Sequence, residues 1–397
     1  MNASRRPSFL RHIGQTSPSP DGLEVSHGKG IYLYDVDGKP YIDCISGIAV
    51  SSLGHGHHYV TSAIEKQLHL HLHTMVYGEH IQAAQVTLAE TLSELLPPSL
   101  DCIFFSNSGT EAVECALKLA RKKTSRYTIV ACRNAYHGSS AGAESLRSDL
   151  AHTSAMRPLV PGVRHIGFNR IEELDMIDTT VAAVIVEPIQ GEAGVLLPAP
   201  GYLRALKDQC EKQGALLIFD EIQTGMGRTG SLWAFQQEQV VPDLLLLAKA
   251  FGGGLPLGAC ISSMEIMSVL SHDPILGHLS TFGGHPLSCA ASLATLEVIT
   301  NNGLLPQVAS TEKLLKKHIG LHRLVKEVRG RGLMLAVELI EPNLIQPAIK
   351  ACRDKGLLLD WFLFNDQCIR LYPPLIITHD EAMLLSTKLT EALDTLH

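Results

Sequence analysis

The chain has 397 residues, 45% of them hydrophobic and 18% charged, with a formal net charge of -7. That length allows two or three domains, or one large one with an appendage, and a large core, while mild charge without acidic or basic blocks argues against nucleic acid or an anionic membrane as partner. There is no apolar run of membrane-helix length, no signal-peptide core in MNASRRPSFLRHIGQ, and no CxxC pair among nine cysteines, which together predict a soluble, cytoplasmic globular protein with reduced thiols.

Residues 15 to 45 are turn-rich, and YLYDVDGKPYID, alternating around a DG turn, predicts a small hairpin. From about Ser46, strands alternate with helical patterns. GHGHHYV…LHLHLH carries His55, His57, His58, His69, His71 and His73, a cluster that invites a metal. The expected context is a helix, where i and i+2 share no face, and no acid or cysteine falls at ligand spacing. The expectation is therefore no metal site and a solvated, His-rich helix face.

DCIFFSNSG predicts a short strand ending in small residues, and TEAVECALKLARKKT an amphipathic helix with a basic last turn. Ser106, Asn107, Ser108, Gly109 and Thr110 lie between them. A helix start with hydroxyls suits a phosphate, and Ser108-x-x-Glu111 equally matches an ordinary capping box. YTIVACRNAYHG, VAAVIVEPIQGE and GALLIFDEIQTG repeat one design, a buried apolar strand followed by a polar loop. Such strands argue for a mostly parallel sheet covered on both faces, with ligands beyond the strands' carboxyl ends. These loops carry Tyr136, whose ring suits stacking on a planar cofactor, with His137, then Glu187 and Glu192, then Asp220 and Glu221. GMGRTG spells G-x-G-x-x-G, but it lies too far past its strand, and the next strand, LLLLAK, ends in lysine where a dinucleotide site needs an acid. It is rejected as a dinucleotide site.

In LLLLAKAFGGGLPLG, Lys249 is the one charge between Asp243 and Glu265. Such a lysine either snorkels to the surface or is held neutral and nucleophilic by burial. With a phosphate cradle and a strand-end acid beside it, the second reading gains weight. Pyridoxal phosphate requires donors for its phosphate, an acid for its pyridinium nitrogen and a lysine for its aldehyde. After about Pro286, a long helix (LSCAASLATLEVITNNG) leads to a second α+β region with RGRGLMLAVELI, a helix near 345–355, and IRLYPPLIIT. There Pro373 and Pro374 stiffen the segment after Arg370, where a guanidinium can clamp a carboxylate.

The run of motifs from YLYDVDGKPYIDCISGIAV through SNSGTEAVE, AYHG, VEPIQGEAG, LIFDEIQTGMGRTG, LAKAFGGGLPLG and STFGGHPLSCAA to IRLYPPLIIT resembles the class III, pyridoxal-phosphate-dependent aminotransferases, the group of acetylornithine, ornithine and ω-amino-acid aminotransferases. The resemblance implies a fold-type I α/β architecture. A large domain, 46–285, surrounds a mainly parallel sheet of the seven-stranded type, and a small α+β domain is built from 1–45 and 286–397. It also implies a homodimer with shared active sites, and a small-molecule amino donor and a 2-oxo acid as partners.

On the same resemblance, Lys249 joins the cofactor's aldehyde and then shuttles a proton between substrate Cα and cofactor C4′. Asp220 pairs with the ring nitrogen. Ser108, Gly109 and Thr110 cradle the phosphate, which Thr281 of the neighbouring subunit also reaches. Tyr136 and Ile222 cover the two ring faces, Gln223 contacts the ring hydroxyl, and His137 and Glu187 complete the cofactor site. Arg370 holds the α-carboxylate of glutamate or 2-oxoglutarate, Glu192 neutralises it for the other donor, and Tyr77 belongs to the substrate group. Ornithine and acetylornithine enzymes carry an arginine just after the aromatic-x-Gly, and here Ser139 stands there. That departure puts an ornithine-type donor in doubt unless Arg133 or Arg147 substitutes. The expected reaction is a ping-pong, Schiff-base amino transfer between a primary amine or amino acid and 2-oxoglutarate. The rivals are an aminomutase or decarboxylase on the same fold, and a non-catalytic cofactor- or metal-binding protein.

Overall fold

Apolar strands that do not alternate need cover on both faces, and that requirement organises the molecule. The computed structural model describes residues 4–301 and 303–396. β1 (Val25–Lys29), β2 (Tyr32–Asp35) and β3 (Pro40–Asp43) pair antiparallel, with the predicted DG turn joining the last two. The central strands are β4 (Cys102–Ser106), β5 (Thr128–Cys132), β6 (Val163–Ile166), β7 (Val181–Val186), β8 (Leu216–Asp220), β9 (Leu244–Leu247) and β10 (Gly258–Ser262). They form one seven-stranded sheet in the order β4-β10-β9-β8-β7-β5-β6. β10 runs antiparallel to both neighbours, and all other adjacent pairs are parallel.

β11 (Val325–Arg331), β12 (Met334–Leu339), β13 (Leu357–Leu358), β14 (Asp360–Phe362) and β15 (Asn365–Leu371) follow. Four of these form an antiparallel sheet, whereas β13 pairs parallel with β3, so early and late segments of the chain share a sheet.

Alternate residues of the central strands enter different cores. Val184, Leu217, Phe219, Leu245 and Leu247 face one side. Ala183, Ile185, Ile218, Leu244 and Leu246 face the other, where Ala112, Val113, Ala116 and Ala120 of the helix Gly109–Thr124 meet them. Those small helix residues let the backbone lie close to the sheet, which fixes where the helix starts relative to the strand ends. On the opposite side, the helix Pro286–Asn301 packs against His58–Leu68 and Ala83–Leu95.

Two local expectations need correction. Of the six clustered histidines only His58 lies inside the helix His58–Leu68, because Gly54 and Gly56, both at positive φ, turn the chain before it and His71 and His73 come after its end. Among the described residues no group of side chains is placed to hold a metal ion, and no helix is long and apolar enough to cross a membrane. Lys249 does not end its strand either: β9 stops at Leu247, and Lys249 opens a 3-10 turn, Lys249–Gly252, with φ +52°.

Sequence gave no warning of the turn at Ser46–Ala49, whose φ angles of 51°, 61°, 59° and 64° are all left-handed. Only Gly47 adopts that conformation without steric penalty. Asp43 Oδ1 holds it by accepting from the Ile45 and Ser46 N–H groups at 3.1 and 2.8 Å. His55 Nε2 braces the other carboxylate oxygen at 2.9 Å, and Ser46 Oγ donates to the Tyr372 carbonyl at 2.7 Å.

Candidate active site

The carboxyl ends of the parallel strands and the start of β10 meet at one edge of the sheet, around a cavity of about 530 Å³. Ser108, Gly109, Thr110, Tyr136, His137, Glu187, Glu192, Asp220, Ile222, Gln223 and Lys249 all line it. At its β4 end, Ser108 Oγ caps the helix by accepting from the Glu111 N–H at 3.3 Å, and Glu111 reaches back to the Asn107 N–H at 2.9 Å. Capping and anion binding are compatible here. The cap uses an oxygen lone pair, whereas the hydroxyl hydrogen of Ser108 and the first-turn N–H groups remain to be satisfied. A Cβ on Gly258 would sit 2.3 Å from the Ser108 carbonyl, so only glycine lets β10 pass this close to the cradle.

Asp220, at the end of β8, is buried on the cavity floor. Its Oδ2 lies 2.7 Å from His137 Nδ1, and its Oδ1 accepts from the Ile222 N–H at 3.0 Å. Burial acts to lower the His137 pKa, but the hydrogen bond to Asp220, then the charges of Asp220 and Glu187, outweigh it and leave the value raised. His137 therefore keeps a proton directed at Asp220. Glu187 ties two loops by accepting from the N–H groups of Tyr136 at 3.1 Å and Gly191 at 2.8 Å.

Glu221, next to Asp220, faces away from the cavity and fastens the following loop through the N–H groups of Ala234 and Phe235, each at 2.7 Å. Burial pushes its pKa from 4.5 up to about 7. A raised acid gives stability that is fully present below pH 4.5 and is lost as pH rises through about 7. The loss is about 3 kcal/mol. The melting temperature of the parent relative to Glu221→Gln should accordingly fall between about pH 5 and pH 8; a constant difference would mean that Glu221 does not titrate in this window.

Lys249 projects into the cavity from its left-handed turn. Burial lowers its pKa, Glu192 opposes that, and Arg370 adds to it, so the proton is held less tightly than on an exposed lysine. Tyr136 and Ile222 stand among the walls, and the Tyr136 hydroxyl lies 3.2 Å from Ser139 Oγ. Arg370, in β15, is 2% exposed. Its Nη2 donates to Glu192 Oε2 at 2.8 Å and to the Trp361 carbonyl at 3.1 Å, and its Cζ lies 4.8 Å from the Phe362 ring centroid. Its Nη1 is buried without a partner among the described residues. Gln223 is held in place by the Tyr372 hydroxyl, which donates to its Oε1 at 3.0 Å.

Neither arginine near Ser139 replaces the missing one. Arg133 turns outward to Glu173 at 2.5 Å. Arg147 stands behind Tyr136, with Asp149 at 3.2 Å and Glu144 at 3.4 Å, and lines neither this cavity nor the adjoining one. Thr281 lies in a separate depression with Ser280 and Phe282, and Tyr77 is in the segment 69–82; within one chain neither joins Lys249. Sequence reasoning missed Asp360 and Tyr372. Tyr372 was visible beside Arg370 in IRLYPP, but Asp360 had no local signal.

A cofactor with an anionic phosphate, a protonated ring nitrogen and an aldehyde fits these residues. The cavity offers an open helix start, a buried acid with no lysine or arginine partner among the described residues, and a partly buried lysine. The comparisons agree. The aminotransferase class-III family profile matches residues 15–393. The ornithine aminotransferase of Toxoplasma gondii, in a structure described with partial occupancy of pyridoxal phosphate at its active site, is 31% identical, with TM-score 0.90 over 98% of this chain and 93% of that one. An (S)-enantioselective omega-transaminase from Thermomicrobium roseum is 29% identical, with TM-score 0.92 over 99% and 98%. A Bacillus anthracis aminotransferase is also 29% identical, with TM-score 0.91 over 98% of both chains. From the cavity's lysine to the whole-chain match, these findings place the chain in the class III aminotransferases, enzymes that depend on pyridoxal 5′-phosphate.

Proposed function

We propose that this aminotransferase exchanges an amino group between glutamate and a donor whose amine sits on a terminal carbon, in two half-reactions at one site. The carrying observation is Arg370, a buried guanidinium with Glu192 on one nitrogen and nothing on another. A cation so placed holds a carboxylate, and Glu192 neutralises it when the other donor brings none. Ser139, with Arg133 turned outward to Glu173 and Arg147 outside the lining of both cavities, supports a second donor without an α-carboxylate.

Bound pyridoxal phosphate supplies an aldehyde that takes up the amino group and a ring that accepts the electron pair left at the substrate carbon. Ser108, Gly109 and Thr110 receive its phosphate. Asp220, oriented by His137, would pair with the ring nitrogen, and Tyr136 and Ile222 would confine the ring. Glu187 holds Tyr136's backbone, and Gln223 is set for the ring hydroxyl. Lys249 Nζ would hold the aldehyde, and it would be the base placed to move a proton at the carbon bearing the amine.

In the same reading the chain divides into a large domain, 46–285, and a small one from both ends, and it pairs as a homodimer. Thr281 and Tyr77 lie away from Lys249 within one chain, and apolar side chains near them stand in solvent, Ile81 being 95% exposed. A second copy would cover these residues and bring Thr281 to the neighbouring cradle. All nine cysteines are free, which supports a cytoplasmic location. The test is the visible absorption of the purified holoenzyme on adding L-glutamate alone. Loss of the yellow colour is expected, and a yellow protein left unchanged would move a mutase or decarboxylase ahead of this reading.

A further inference from the structure

Beside the main cavity a second lobe of about 370 Å³ runs from Lys249 and Tyr136 to Asp360, Trp361, Leu363 and Arg370. Its sides are apolar: Ile48, Trp361 and Leu363 are all exposed large hydrophobic residues that line it. Its far end carries charge. β14 and β15 pair so that Asp360 stands opposite Arg370, giving the guanidinium a second carboxylate besides Glu192.

The two acids are held differently. Glu192 Oε2 accepts from Arg370 Nη2 at 2.8 Å and from the Leu363 N–H at 3.2 Å, and its Oε1 faces Gln223 Nε2 at 3.5 Å. Asp360 Oδ1 lies 3.1 Å from Arg370 Nε, yet the two are misaligned, and both atoms are buried without a hydrogen-bond partner among the described residues. The Asp360 side chain keeps a quarter of its surface exposed and lines the lobe. Two carboxylates, Glu192 and Asp360, thus face one guanidinium at this end of the lobe. Asp360 Oδ1 therefore has a cation beside it but no hydrogen bond, and a further donor would satisfy it. Apolar walls between that carboxylate and the reacting lysine match a methylene chain.

We propose that Asp360 reads the far end of the amino donor, which is an α,ω-diamine: one amine faces Lys249, the methylenes lie along Ile48, Trp361 and Leu363, and the second ammonium pairs with Asp360. The inference rests on the aminotransferase reading above, and it names the donor that reading left open. A carboxylate at the donor's far end would meet Asp360 as a like charge and be disfavoured.

The experiment compares kcat/KM of the holoenzyme for cadaverine and for n-pentylamine, which share a chain length and differ in the second amine. The parent should prefer cadaverine by about tenfold or more, the scale of one charge-assisted hydrogen bond. In Asp360→Asn that ratio should collapse toward one, through a KM raised far more for cadaverine than for pentylamine. Asp360→Glu should restore the preference for diamines, which a purely structural Asp360 would not do. No preference in the parent, or an undiminished one in Asp360→Asn, overturns the proposal even if glutamate bleaches the cofactor normally. Diamine preference in a protein that glutamate leaves yellow would instead keep Asp360's role and remove glutamate as partner.

Discussion

Replacing Lys249 with alanine is expected to lower turnover by about 10⁴-fold, because one side chain supplies both the nucleophile and the proton carrier. The loss should be chemical rather than structural. Lys249 Nζ enters none of the ion pairs that hold the site together, which join Arg370 to Glu192 and His137 to Asp220. Its backbone is left-handed at φ +52° whichever side chain it carries, so alanine neither relieves nor adds much strain. The folded variant should melt close to the parent, and added methylamine should restore part of the rate by acting as a diffusible base. Near-normal turnover in Lys249→Ala would end the mechanism proposed for this site.

Arg370→Ala should cut kcat/KM for glutamate by about 10²- to 10³-fold, the scale of removing one partner from a buried charge pair. A carboxylate-free amine should lose far less, since it makes no use of the guanidinium. The variant also leaves a buried Glu192 and a half-buried Asp360 without their cation, which is worth about 3–5 kcal/mol of stability. Both effects are measurable together, by steady-state kinetics on the two donors and by thermal melting. Arg370→Lys should recover stability better than glutamate use, because an ammonium restores charge but not the planar fork that reaches Glu192, Trp361 and a substrate carboxylate together. Equal losses for both donors would show that Arg370 does not read the carboxylate.

Lys249 and Asp220 were legible in the sequence because Asp220 ends an apolar strand and Lys249 follows one by two residues, and a charge in such a place needs a reason. Arg370 stood out by its rigid Pro-Pro neighbour. The mostly parallel sheet followed from strands with no alternation, but the antiparallel run of β10 did not, since an apolar run has the same pattern in either direction. Asp360 was hidden for a different reason. It sits in a three-residue strand and matters only through the register that sets it against Arg370. The His137–Asp220 bond spans 83 residues of sequence, and contacts at that separation leave no local trace. In SGIA, only the glycine hints at a left-handed turn.

That turn sets a trade between robustness and selectivity at one position. Ile48 is both a wall of the donor lobe and a branched residue wound against its preferred hand, at about 1–2 kcal/mol. Glycine there would relax the backbone and remove the wall in the same change. A screen for heat resistance would thus drift toward a wider, more permissive enzyme, and one for a narrow donor range would keep the tension. Asp43 and His55, two shells from any substrate, are what allow the chain to hold it.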